Sequence, residues 1–283
     1  MEIKNGDKNM KLDLHTHSTV SDGQYTPSEL VEMAKKNELK MYALTDHDTI
    51  AGIEEARRRA GELGVNFIPG IEISTHKGEE IHMLGLFIDE QCSYLINACQ
   101  VYRERRIGRG ERICAFLKEK GIEISKEELR EIEGNASLGR PHFAKILQER
   151  GIVKTRQEAF GRYLDTAEFH RKTDGQKPAP EEAIEIIHRA GGLAVLAHPG
   201  LLKMGKRWQE SLIKSLKEAG LDGIESFYNK HTYMQKKYYR KLAEENGLMI
   251  SCGSDFHGEK VKPNVNFGME LADEYVPMLV RKN

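Results

Sequence analysis

Between residues 11 and 87, short apolar runs alternate with stretches whose apolar positions recur every three or four residues. The runs at 12–15, 41–45, 67–73 and 81–87 predict strands, and the stretches between the first three predict amphipathic helices. Thr26-Pro27-Ser28-Glu29 opens the first helix: Thr26 can cap it, Pro27 suits its first turn, and Glu29 completes a capping box. The second helix runs from Ile50 to Leu63 and stops at Gly64, a residue suited to a left-handed cap. Strands that alternate with helices imply βα units and a parallel sheet. Residues 90–171 break the rhythm. They are charged and carry helical rather than strand periodicity, with one long helix over 94–120 (Gly108 and Gly110 its weak points) and shorter ones over 126–132, 140–150 and 156–163. The alternation resumes at Pro180, with strands over 193–197, 223–227 and 248–252 and helices over 180–190, 209–219 and 232–246. The expectation is an α/β fold of seven strands with a helical insertion. The last twenty residues carry little signal.

Composition narrows the class. The 283 residues hold 43 Lys+Arg against 44 Asp+Glu, a formal charge of −1, with 39% hydrophobic and 31% charged residues. This is the balance of a globular chain with a substantial core. Near-neutral charge argues against a general nucleic-acid coat or a membrane-surface protein, though a local basic pocket is compatible with it. No run approaches the ~18 apolar residues of a membrane span. The polar start, Met1 to Lys8, lacks the apolar stretch of a secretion signal, and Cys92, Cys99, Cys114 and Cys252 form no CxxC pair. Reduced thiols in a cytoplasmic protein are therefore expected.

The eleven histidines change the picture. His15-Thr16-His17 closes the first strand, where residues two apart face one side and both imidazoles can reach one ion. Asp22 follows in a turn sequence. His47, between Asp46 and Asp48, closes the second strand, with Asp48 or Thr49 as a cap for the next helix. Glu72 lies inside an apolar strand, where a carboxylate is costly unless paired or metal-bound. His82, between Ile81 and Met83, raises the same question. His198 ends the 193–197 strand against Pro199, and Asp255 and His257 follow the last one. In parallel α/β folds the C-terminal strand ends converge on one face, where active sites form. Six histidines and three carboxylates exceed one ion's needs and suit two or three ions with a bridging carboxylate.

In order, His15-Thr16-His17-Ser18 with Ser21-Asp22-Gly23, Thr45-Asp46-His47-Asp48, Gly70-Ile71-Glu72, Ala197-His198-Pro199 and Gly253-Ser254-Asp255-Phe256-His257 resemble the motifs of the PHP (polymerase and histidinol phosphatase) family. The resemblance implies a distorted (β/α)7 barrel over residues 10–89 and 176–283, with residues 90–175 as a helical insertion capping the barrel mouth. It implies a trinuclear centre: His15, His17, Glu72 and Asp255 on one ion, Glu72, His82 and His198 on a second, and Asp22, His47 and His257 on a third. Ser137-Leu138-Gly139-Arg140-Pro141-His142 resembles a segment of the small phosphoesterases of this family that act on nucleotides, in which the insertion supplies arginines to phosphate. Arg140 is the matching residue. Arg103 and Arg106, three apart on one helix face, are further candidates, with a solvated charged face as the plain alternative. The chain departs from the Gly- and aromatic-rich stretch usual after the insertion: it has Asp165-Thr166-Ala167-Glu168-Phe169-His170.

The expected activity is hydrolysis of a phosphate monoester of a small nucleotide, of AMP or nucleoside 3′,5′-bisphosphate type, by metal-activated hydroxide. Glu72, His17, Asp255 and Arg140 are the expected catalytic residues. A short-RNA 5′–3′ exonuclease would use the same site. A mixed His/carboxylate set suits Mn²⁺, Zn²⁺ or Fe²⁺ better than Mg²⁺. His231, beyond another strand, is a candidate substrate contact or proton donor, or simply part of the next helix cap. His142 is read as orienting its segment, and His76, His170 and His188 as ordinary positions. Two rivals remain: an amidohydrolase, which would commonly bridge its metals with a carboxylated lysine where this chain has Glu72, and a non-enzymatic metal-dependent module. No membrane and no obligate protein partner are expected.

Overall fold

The computed structural model describes residues 9–125, 127–128, 139–173 and 177–272. Strand β1 (Asn9–Asp13) is followed by helix α1 (Pro27–Lys36), β2 (Met41–Leu44), α2 (Ile53–Leu63), β3 (Phe67–His76) and β4 (Glu80–Leu86). Helices α3 (Ser93–Glu119), α4 (Arg140–Glu149), α5 (Arg156–Ala159, continuing into a π-helical turn, Phe160–Leu164) and α6 (Ala167–Thr173) come next. The chain then forms α7 (Pro180–Arg189), β5 (Leu193–Leu196), α8 (Lys206–Glu218), β6 (Gly223–Tyr228), α9 (Tyr233–Glu245), β7 (Met249–Gly253) and β8 (Met269–Ala272). The capping box at Thr26 and Glu29 forms, and Gly64 closes α2 in the left-handed conformation. Gly108 and Gly110 do not break α3. The helix expected over 126–132 lies, but for residues 127 and 128, outside the described residues, as do Ser137 and Leu138.

The strands form one sheet in the order β7-β6-β5-β4-β3-β2-β1-β8. Its ends approach each other where Leu14 N–H donates to Cys252 O (3.3 Å), Asp255 N–H donates to His15 O (2.8 Å) and Thr16 bridges Phe256 in parallel, so the sheet nearly closes into a barrel. The pairs β1–β2, β2–β3, β5–β6 and β6–β7 are parallel. Two features depart from a plain (β/α) repeat. β4 runs antiparallel to both neighbours, because a short turn leaves no crossover helix between β3 and β4. An eighth strand, β8, pairs antiparallel with β1 beyond the seven expected.

Strand alternation divides the side chains. Leu12, Ala43, Ile68, Leu84, Leu86, Val195 and Cys252 share one buried cluster inside the barrel. Tyr42, Leu44, Ile71, Ile73 and Leu196 belong to clusters packed under the outer helices. Burial on both faces matches the uninterrupted apolar runs of β2 and β5. The helices between β4 and α7 have their own core, including Ile113, Phe116, Leu117, Phe143, Leu147 and Phe169. Each such side chain contributes about 1.5–3 kcal/mol by leaving water. That segment is therefore held together locally.

Candidate metal centre

The barrel's inner cluster is the floor on which the polar site stands. On β3, Ile68 belongs to that cluster, and period-two alternation brings Glu72 to the same inner face. On β4, Leu84 and Leu86 face inward, so His82 does too. His82 sits near the start of its strand, not at its end as the sequence pattern suggests. It reaches the same mouth because β4 is antiparallel. His15 and His17 follow β1, and Asp46 and His47 follow β2. His198 follows β5, and Asp255 and His257 follow β7. Asp48, His198 and Asp255 have positive φ values of 56°, 26° and 56°. Such backbone persists only where the surroundings fix it, and it turns the chain sharply at the mouth.

All nine predicted ligands come together. Glu72 is fully buried at their centre: its Oε2 lies 3.2, 3.1 and 3.0 Å from His15 Nε2, His17 Nε2 and His47 Nδ1, and its Oε1 lies 2.9 Å from both His82 Nδ1 and His198 Nε2. Asp255 Oδ1 approaches His15 Nε2 (3.6 Å), His17 Nε2 (3.4 Å) and His257 Nδ1 (3.3 Å). Asp22 Oδ1 lies 3.3 Å from His257 Nε2. Three groups have ligand atoms mutually within 4.8 Å: His15, His17, Glu72 and Asp255; His17, Asp22, His47 and His257; and His47, Glu72 and His82. The first is the set the family resemblance implies. In the second, His17 joins the expected three. In the third, His47 accompanies Glu72 and His82, and His198 reaches the group through Glu72.

The donor set fits divalent cations. The buried Glu72 Oε2 and Asp22 Oδ1 have no hydrogen-bond partner, and His15 Nε2 and His17 Nε2 point at each other across 3.1 Å. Lone pairs gathered in this way need a cation between them. Burial first, with His257 and His47 nearby, holds His17 well below its ordinary pKa, in the neutral form that ligates metals. Burial also disfavours the charged form of His82, but Glu72 and then Glu80 outweigh it and push the imidazole up to about 10. A field strong enough to hold that proton is one that a metal cation also answers.

A surrounding layer fixes the ligands, and sequence reasoning missed most of it. Glu225 Oε1 lies 3.0 Å from His15 Nδ1, which turns His15 Nε2 into the site, and Glu225 Oε2 accepts from His198 N–H (2.7 Å). A register shift in the β6–β7 pairing begins at Glu225. Asp46 accepts from Ser18 N–H (2.7 Å), Ser18 Oγ (2.7 Å) and Ser21 Oγ (2.6 Å), holding the loop that carries Asp22. Asp13 does the same for the turn before Asp255, accepting from Ser254 N–H (2.9 Å) and Oγ (2.6 Å). Tyr228 OH (3.1 Å) and Lys262 Nζ (2.6 Å) both reach Asp255 Oδ2. The signal for Asp13 and Glu225 was available: each is a carboxylate inside an apolar strand, as Glu72 is.

Above the centre lies a cavity of about 280 Å³, bordered by Asp22, His47, His82 and His257 on one side and by Arg105, Arg109, Arg112, Arg140, Lys177 and Lys262 elsewhere. Glu80 joins the two parts: it lies 3.0 Å from His82 Nε2, 2.7 Å from Lys177 Nζ and 3.5 Å from Arg140 Nη2. Arg140 faces the cavity, tied also to Asp165 (2.9 Å). Two expectations are corrected here. Arg103 is exposed and does not line the cavity, because α3 turns Tyr102, Arg105, Arg109 and Arg112 inward instead. The side chain of Arg106 lies outside the described residues. His231 is buried away from the cavity: its Nδ1 donates to Ser226 O (3.1 Å) and its Nε2 accepts from Gly200 N–H (3.0 Å), which leaves no ring nitrogen for a substrate. His142 Nδ1 accepts from Gly139 N–H (2.9 Å) and so orients its segment. Lys262 pairs with Asp255, and the position of the amidohydrolase's bridging lysine is occupied by Glu72.

The PHP domain family model matches residues 13–276, and the chain belongs to that family. It is a metal-dependent phosphoesterase, an enzyme. A 5′-3′ exoribonuclease of Haemophilus influenzae is 36% identical over 271 residues, covering 95% of this chain and 97% of its own. A 3′,5′-nucleoside bisphosphate phosphatase of Chromobacterium violaceum is 36% identical over 248 residues, 87% of each chain. Two solved structures share the fold. One, from Chromobacterium violaceum, is described as an amidohydrolase with bound sulfate and no metal (TM-score 0.85, 32% identity, 95% of this chain and 96% of that one). The other, from Bifidobacterium adolescentis, is described as a metal-dependent phosphoesterase (0.83, 30%, 95% of each). Among the described residues no helix is long and apolar enough to cross a membrane.

Proposed function

We propose that this chain hydrolyses a terminal phosphate of a small nucleotide, of AMP or nucleoside 3′,5′-bisphosphate type. The observation that carries the reading is the cavity itself, which brings the nine-residue centre and a cluster of arginines and lysines into one chamber sized for a nucleotide rather than a long strand. The helical segment 90–175 acts as its cap. His15, His17, Asp22, His47, Glu72, His82, His198, Asp255 and His257 would hold two or three divalent cations, of which Mn²⁺, Zn²⁺ or Fe²⁺ suit the donors best. When bound, such ions neutralise phosphoryl oxygens and lower the pKa of water.

The rest is done by side chains. Glu72, with an oxygen toward each of two imidazole groups, keeps the centre's geometry fixed. Arg140 presents a planar fork to phosphoryl oxygens, oriented by Asp165 and Glu80. Lys262 places an ammonium beside Asp255 at the edge of the chamber. Water adds to phosphorus, the bond to the nucleoside oxygen breaks, and a proton ends on that oxygen. Positioning and charge stabilisation dominate such a transfer, so no covalent nucleophile is required.

The test is phosphate release, with Mn²⁺ present, from AMP, adenosine 3′,5′-bisphosphate and glycerol phosphate. A nucleotide should exceed glycerol phosphate at least about tenfold in kcat/KM, roughly 1.4 kcal/mol of recognition. Equal rates would remove the nucleotide from the reading. A second reading, removal of 5′ nucleotides from short RNA, is favoured by the arginine row on α3. Arg105 to Arg112 spans about 10 Å of helix, more than one phosphate needs. A 5′-phosphorylated tetranucleotide in the same assay separates the two.

A further inference from the structure

One wall of the cavity has a feature that the hydrolytic centre does not use. Tyr102, Arg105, Arg109 and Arg112 follow one another at intervals of three, four and three, which aligns them on one face of α3. All four line the cavity, and none belongs to the three groups of ligand atoms. Tyr102 is only 6% exposed, and its hydroxyl is buried without a hydrogen-bond partner. Leaving such a group unsatisfied costs about 1–3 kcal/mol, and in the wall of a polar chamber it marks a position that a ligand atom completes. The guanidinium of Arg105 stands 6.0 Å from the Tyr102 ring centre.

Resting on the nucleotide reading above, we propose that Tyr102, Arg105 and Arg109 form a second phosphate subsite that receives the phosphate not being hydrolysed. The chemistry favours an anion. Burial, reinforced by Asp48 and Glu182, raises the Tyr102 pKa, so its hydroxyl stays a donor. Guanidinium groups supply charge and forked donors that a neutral sugar hydroxyl would leave unmatched. Two carboxylates border the same space and do not cancel it. Glu80 is engaged by Lys177 and Arg140, and Asp48 Oδ1 accepts from Ser74 N–H (2.7 Å). The phosphate could be the 3′-monoester of a nucleoside bisphosphate or the first phosphodiester of a short RNA. The subsite chemistry is common to both.

The experiment uses the metal-loaded protein, its Tyr102→Phe and Arg109→Gln variants, and two readouts. Calorimetry compares binding of 3′-AMP and adenosine. The wild type should bind 3′-AMP at least about tenfold more tightly, and each variant should erase most of that margin. Kinetics compares AMP, adenosine 3′,5′-bisphosphate and 5′-phosphorylated ApA. In each variant, kcat/KM should fall about tenfold further for the bisphosphate than for AMP. A parallel fall for the dinucleotide identifies the phosphodiester as a second occupant, whereas a fall for the bisphosphate alone identifies the monoester. Equal binding of 3′-AMP and adenosine by the wild type, or parallel losses on AMP and bisphosphate in the variants, would overturn the subsite. No phosphate release from any nucleotide would instead refute the proposed function, while the binding comparison would still read the subsite.

Discussion

Five imidazoles surround the two carboxylate oxygens of Glu72 at 2.9–3.2 Å. The charge on Glu72 is what makes this arrangement a cation site. Glu72→Gln and His17→Ala should each abolish measurable phosphate release, a loss of about 10³-fold or more, and lower bound metal as read by elemental analysis of the purified protein. Glu225 acts one step away, by orienting His15 and His198. Glu225→Gln should therefore weaken metal binding by about 10–100-fold while leaving the secondary structure intact, measurable by competition with a metal indicator. His231 behaves differently. His231→Ala leaves Gly200 N–H without its acceptor and should lower stability by about 1–3 kcal/mol in urea melts. It should not alter the dependence of rate on leaving-group pKa, which a proton donor would alter. At this scale the sequence was highly legible for the nine ligands, because imidazole and carboxylate are conspicuous at strand ends. It was poorly legible for residues whose role depends on a partner far along the chain. Glu225 and Asp13 look like strand residues until His15 and Ser254 are placed beside them. His231 looks reactive until its two backbone bonds are seen.

Direction and register decide what each element contributes. The periodicity shows that β4 exists but not that it runs antiparallel, and it is this reversal that brings His82, near the strand's start, to the mouth. On α3 the sequence supplies arginines at 103, 105, 106, 109 and 112, and only packing selects the inward ones. Arg103→Ala should accordingly leave kcat/KM within about twofold of wild type, whereas Arg140→Ala should raise KM with a smaller effect on kcat, as expected for lost substrate binding. The atypical segment after α5 gains a role here: Asp165 anchors Arg140, and Thr173 O accepts from Arg112 Nε–H (3.1 Å). Close approach at the end of β7 sets another constraint. A Cβ on Gly253 would lie 2.2 Å from His15 Cβ and 2.6 Å from Glu225 Oε1. Gly253→Ala should therefore displace the centre itself, losing metal and activity together, a loss measurable by elemental analysis and phosphate release on one sample.

For the whole molecule, the balance of 43 basic and 44 acidic residues conceals a strong local asymmetry: acids and imidazoles at the barrel floor, guanidinium and ammonium groups above them. Overall charge excluded a general polyanion binder and could not reveal the chamber. The fold class was legible from βα alternation, but barrel closure was not, since it depends on β1 meeting β7 across the full length of the chain. Because the centre draws on residues from His15 to His257, cations bound there tie together distant parts of the barrel. Removing them with a chelator should lower the melting temperature, in line with about 2.7 kcal/mol of stabilisation at a hundredfold excess over Kd. The most direct test of the account is anomalous X-ray scattering from crystals grown with Mn²⁺ and no chelator. Two or three peaks lying among His15, His17, Glu72, His82, Asp255 and their neighbours are predicted. Side chains turned away from one another with no peak between them would contradict it.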